Sequence, residues 1–145
     1  MSRSEYQAVA LLAASAGVLK LLEPVSGELR PTVAWTLDQV ELAVQRWPVR
    51  RDGKPLVRWI RPRLEALQEA IPENVPVTVA IQLTEQLLGD LAGRLRSPRK
   101  LELLDGALAG IRGLSDAVDP IGDYETCVRA TRLSEPFYRV CEFEP

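Results

Sequence analysis

A chain of 145 residues, 46% hydrophobic and 26% charged, is long enough to bury roughly two-thirds of its unfolded surface around one core and too apolar to stay disordered. It has no histidine and two cysteines, which excludes Ser-His-Asp and Cys-His catalysis, histidine metal sites, thiolate zinc sites and a disulfide framework. The net charge of -2 hides an asymmetry: Arg46 to Arg63 holds seven basic residues and one acid, +6, against -8 for the remainder, so a basic patch sits on an acidic body.

Ser4 with Gln7 three positions later has the capping-box pattern, and the residues from Glu5 to Glu23 read as a helix closed by Pro24. Val9, Leu11, Leu12, Val18, Leu19, Leu21 and Leu22, with alanines between them, leave Ser15 and Lys20 as its polar interruptions. A helix apolar on nearly every side belongs at the centre of a protein or against another subunit. Lys20 and Glu23 close the apolar run short of the ~18 residues that a membrane span needs. Glu5 and a single Arg make a poor leader flank, so the expected protein is soluble and cytoplasmic.

Behind a capping Thr32, the residues Val33, Leu37, Val40, Val44 and Trp47 alternate steps of four and three, predicting a second helix with one clean stripe. At about 100° per residue, Trp35 and Leu42 fall on its opposite face, which makes this helix either sandwiched or an interface element. Val57, Ile60, Leu64, Leu67 and Ile71 predict a third helix. It either starts near Pro55 and kinks at Pro62 or is shorter, with Pro62 in its first turn. The two prolines of IPENVP then mark a loop.

Val77, Ile81, Thr84, Leu88, Leu91 and Leu95 give a fourth helix, from Val77 to Arg96. Ser97-Pro98 opens a fifth, carrying Leu101, Leu104, Leu108 and Ile111 on one side. Gly106, Gly110 and Gly113 lie off that stripe and each costs roughly 1 kcal/mol against alanine. A close neighbour is expected there, with Gly89 and Gly93 of the fourth helix as counterparts. Beyond it, ETCVRATRL and PFYRVCEF alternate in character around Ser-Glu-Pro and suggest a hairpin of two strands, with a terminal helix as the competitor. In a hairpin, Cys127 and Cys141 would lie almost opposite each other, close enough to bridge; otherwise they read as small buried hydrophobes. The expected fold is mainly α: one domain over 1–145, a bundle of about five helices across 4–114, with a small β-hairpin or extended tail in 115–145.

No phosphate-cradling GxxxxGK[ST], no GxGxxG after a strand and no CxxC pair is present. Asp116, Asp119, Asp123 and Glu125 form the densest carboxylate run, but their spacing is not that of an EF-hand and suits an acidic turn. The expectation is therefore no enzyme, no cofactor, no metal and no small-molecule substrate.

What remains are surfaces. Arg46, Arg50, Arg51, Lys54, Arg58, Arg61 and Arg63 could neutralise phosphates, Trp47 and Trp59 could stack on bases, and Arg94, Arg96, Arg99 and Lys100 extend the patch if the fold brings them near. Against nucleic acid, Trp47 completes an apolar stripe, Arg61 with Glu65 and Glu69 forms an i,i+4 ladder, and Asp52-Gly53 is a turn tip. The function that follows is a non-enzymatic assembly, adaptor or inhibitor-like subunit that binds protein and associates with itself, a viral or phage component among the settings that fit. Its candidate protein contacts are Trp35, Leu42, Trp59 and Arg63. The basic patch of Arg46, Arg50, Arg51, Lys54, Arg58 and Arg61 serves protein or, in the alternative, nucleic acid. No membrane partner is expected.

Overall fold

The computed structural model describes residues 3–47, 75–118 and 124–142, with side chains at 7–47, 75–118 and 124–135. They form five helices: α1 (Arg3–Leu22), α2 (Arg30–Arg46), α3 (Val77–Arg94), α4 (Pro98–Val118) and α5 (Tyr124–Glu142). No strand occurs among the described residues. The helix expected over Val57 to Ile71, with its kink at Pro62, lies outside them.

The apolar α1 is the centre of the molecule, packed by α2, α3 and α5. Val9, Leu11, Leu12, Val18, Leu19 and Leu22 are buried, as are the alanines at 8, 10, 14 and 16. Three neighbours leave almost no face for solvent, which accounts for the missing polar stripe. The stretch Gln7–Val25 has a mean hydropathy of 1.7 and is apolar and long enough to cross a membrane by composition alone, yet 67% of it is buried in the bundle. A core helix acquires that composition from burial. Arg3 and Ser4 both lie inside α1, so Ser4 does not occupy the capping position expected for it.

Two short 3-10 turns, Glu23–Val25 and Gly27–Leu29, join α1 to α2. Gly27 takes φ of 56°, a left-handed backbone that glycine adopts without cost to a side chain. The second turn winds straight into α2, with Leu29 at the cap and Pro31 in the first turn. Thr32 is thus inside the helix rather than capping it, and its carbonyl accepts the Thr36 hydroxyl at 2.7 Å.

Register between helices follows from individual contacts. Gly106 of α4 faces Gln39 of α2 and Gly110 faces Thr36, so these two helices run antiparallel. Arg94 at the end of α3 donates to Gln7 Oε1 at the start of α1, 3.1 Å away. Gln86 of α3 donates to Thr131 of α5 at 3.2 Å, and Cys127 lies 3.9 Å from Gln82, which makes α3 and α5 parallel. One end of the bundle therefore gathers the start of α1, the ends of α2 and α3 and the start of α4. The other gathers the connection from α1 to α2, the end of α4 and the start of α5.

The glycine expectation is corrected in its partner. Gly106 and Gly110 do meet a close neighbour, but it is α2, and Gly89, Gly93 and Gly113 face open space. Spacing shows that a helix has a bare strip and carries no address for what fills it. α4 also runs to Val118, four residues past the expected limit at 114, because Leu114 is buried and Val118 packs on the core.

Residues Tyr124–Glu142 are helical, the competitor to the expected hairpin. Cys127, Ala130 and Ser134 also step by three and four, and Ala130 and Ser134 are buried where α5 crosses α1 and α3. On one helix the fourteen steps from Cys127 to Cys141 span about 21 Å, whereas a disulfide needs Cα atoms within about 7 Å. Unreduced protein is therefore expected to alkylate at both cysteines in denaturant, read by intact mass; a chain blocked at both would show the bridged hairpin instead.

Candidate interaction surfaces

Along α2, Val33, Leu37, Val40 and Trp47 are buried and Val44 is half-buried. They face α1 and α4. The seven-residue spacing of Trp35 and Leu42 then turns both away from the core, and they are 47% and 38% exposed. Asp38 and Gln45, exposed beside them, give this apolar pair a polar margin. Trp59 and Arg63, proposed as part of the same contact, lie outside the described residues, as do Arg50, Arg51, Lys54, Arg58 and Arg61.

Arg46 is exposed in the last turn of α2. Its neighbour Trp47 is only 3% exposed, so this aromatic belongs to the core and offers no face for base stacking. The indole Nε1 has no hydrogen-bond partner among the described residues. Lys100, from the first turn of α4, places Nζ 5.9 Å from the centroid of the Trp47 ring, within cation–π range. That contact joins the turn between α3 and α4 to the start of the basic segment.

Four cations from three elements meet at this end: Arg46 from α2, Arg96 from the turn, and Arg99 and Lys100 from α4. None makes an ion pair among the described residues, whereas Arg94 close by is held by Asp90 at 3.0 Å. The first turn of α4 carries no acid. Arg99 and Lys100 stand at the positive end of α4, where a cation is disfavoured by roughly 0.3–1 kcal/mol, whereas Arg46 stands at the negative end of α2, which favours it.

The opposite end was not anticipated from the sequence. It exposes Leu21 (47%), Val25 (62%) and Tyr124 (82%), and the acids Glu28, Asp116 and Glu125 on its elements are exposed too. Leu21 reads in sequence as one more apolar residue of α1, and Tyr124 as part of a turn ahead of a strand. Neither pattern shows that both come to lie at one end. Asp119 and Asp123 of the acidic run lie outside the described residues, while Asp116 and Glu125 sit on different helices.

No protein-family model, curated protein or solved structure matches the chain.

Proposed function

We propose that the chain is a non-enzymatic interaction protein, an assembly or adaptor-like subunit that binds protein, above all a second copy of itself, through the outer face of α2. The observation that carries this reading is the exposure of Trp35 and Leu42 on one face while the same helix buries its other stripe in the core. Tryptophan supplies large, rigid contact area and is enriched where interfaces concentrate their energy. A polar margin around an apolar pair is also how interface patches are arranged.

Trp35→Ser combined with Leu42→Ser tests it. Light scattering on the parent is expected to give more than the 16.1 kDa of one chain, and the double variant a lower mass with the same helical circular dichroism. A parent of one chain's mass, or a variant whose mass does not fall, would sink this interface.

A second reading is favoured by the Lys100–Trp47 contact, which brings the α3–α4 turn to the Arg46 end of the basic segment. In it the patch of Arg46, Arg50, Arg51, Lys54, Arg58 and Arg61 holds a nucleic acid through its phosphates. Affinity for a short labelled duplex is then expected to fall steeply with salt, and Arg50, Arg51 and Arg58 changed together to alanine to weaken it alike for different sequences. Binding indifferent to salt would reject it.

A further inference from the structure

We infer that copies of the chain associate end to end, the basic end of one bundle meeting the acidic and apolar end of the next. The inference rests on the self-association reading above and gives it a second, distinct contact. At the basic end Arg46, Arg96, Arg99 and Lys100 have no acidic partner among the described residues. Glu102, one turn further along α4, is the nearest described acid in sequence. At the other end the register of Gly106 with Gln39 and Gly110 with Thr36 sets Asp116 level with the start of α2, beside the connection that bears Glu28.

The cations near that second end are mostly answered locally, Lys20 by Glu41 at 3.2 Å and Arg30 by Glu23 at 4.0 Å. Arg112 and Arg129, each about one turn inward, are the other described ones. Leu21, Val25 and Tyr124 are exposed at the same end as Glu28 and Asp116. Nucleic acid gives no reason for exposed apolar side chains and acids at one end, whereas a protein carrying guanidinium groups does. A phenol ring takes a guanidinium on its face, the aliphatic stems of Arg and Lys cover apolar side chains, and carboxylates at the margin fix the orientation. This chain presents that cationic counterpart on its own opposite end.

A contact between two different ends of the same molecule is heterologous, so it repeats into an open series or closes into a ring. Each step advances by about one bundle length, roughly 31 Å for a helix as long as α4.

The two ends can be blocked separately. Arg96→Glu with Arg99→Glu disables the basic end; Tyr124→Ser with Asp116→Lys disables the other. All four positions are outside the buried core, and circular dichroism confirms that the variants are folded. Light scattering at low and high salt is run in the parent and in the Trp35→Ser/Leu42→Ser background, which isolates the end contact from the α2 contact. In that background the unblocked chain is expected to gain mass with concentration at low salt and lose it at high salt. Each blocked protein should stay at a single chain's mass, and an equal mixture of the two should show about a twofold gain, because one intact end of each kind remains. A mixture without that gain, or mass indifferent to salt, overturns the end-to-end contact. Mass gained only when a short DNA duplex is added overturns it as well and assigns the basic end to nucleic acid. Failure of the α2 reading shows separately, as a parent whose mass is unmoved by the Trp35 and Leu42 changes.

Discussion

Replacing Gly110 with valine is expected to remove at least ~3 kcal/mol of unfolding free energy, beyond the 1–3 kcal/mol usual for core overpacking and a large share of the ~5–15 kcal/mol that holds a typical domain folded. A Cβ at this position would lie 2.9 Å from Thr36 Cβ and 3.0 Å from its Cγ2, and closer still to Oγ1. Thr36 cannot swing aside. It is buried, its hydroxyl is held by the Thr32 carbonyl at 2.7 Å, and a β-branched side chain in a helix has few χ1 choices. The two helices would have to separate, opening contacts along the whole seam of α2 and α4.

Gly110→Ala should cost less, because about 1 kcal/mol of helix propensity returns against the overpacking. At Gly106 the obstacle is the far end of Gln39, a flexible and half-buried side chain, so alanine there is expected to be near neutral. Gly89→Ala and Gly93→Ala meet open space and should each stabilise by up to ~1 kcal/mol. Urea melts of the series check the order. Gly110→Ala as stable as Gly93→Ala would mean that the close approach is absent, and coupling between Thr36→Ala and Gly110→Ala would locate it directly.

The second large effect is expected at Trp47. Trp47→Ala should cost about 3–5 kcal/mol, the range for removing a large aromatic from a core, since the residue is only 3% exposed and its ring carries Lys100 at 5.9 Å. Trp47→Phe should cost far less, under ~1.5 kcal/mol. The indole N–H has no partner among the described residues, and a buried donor left unmet costs about 1–3 kcal/mol. Phenylalanine removes that penalty along with part of the volume. If the phenylalanine variant were as unstable as the alanine one, the N–H must have a partner that it loses.

These effects were legible to different degrees. The placement of α1 at the centre could be read from its composition, because burial on three sides leaves no room for a polar stripe. The stripe of α2 and the turn at Ser97-Pro98 were legible for the same reason: periodicity and proline geometry act within one segment. What could not be read was which segments meet. The glycines of α4 announced a close neighbour, and it turned out to be Thr36 and Gln39, some seventy residues earlier in the chain. Thr32 had the chemistry of a cap and lost the position to a 3-10 turn that wound into the helix three residues sooner. In α5, Cys127, Ala130 and Ser134 keep a helical period inside a sequence that also alternates, and Ala130 and Ser134 are buried against α1 and α3. Of the site, the exposure of Trp35 and Leu42 followed from their angle to the buried stripe. The gathering of Leu21, Val25 and Tyr124 depended on tertiary topology and left no local trace.

Four buried hydroxyls among the described residues sit in the middle of helices, and each returns its hydrogen bond to its own helix: Ser15 to the Leu11 carbonyl at 2.9 Å, Thr36 to Thr32 at 2.7 Å, Thr84 to Ala80 at 2.9 Å and Ser134 to Thr131 at 2.7 Å. None of these bonds crosses to another element, so exchanging Ser15 or Thr84 for a small apolar residue strands no donor elsewhere. For an evolving lineage, such positions can change one at a time, without a compensating change in a second helix. Where shape ties two helices together, as at Thr36 and Gly110, two residues must drift as a pair.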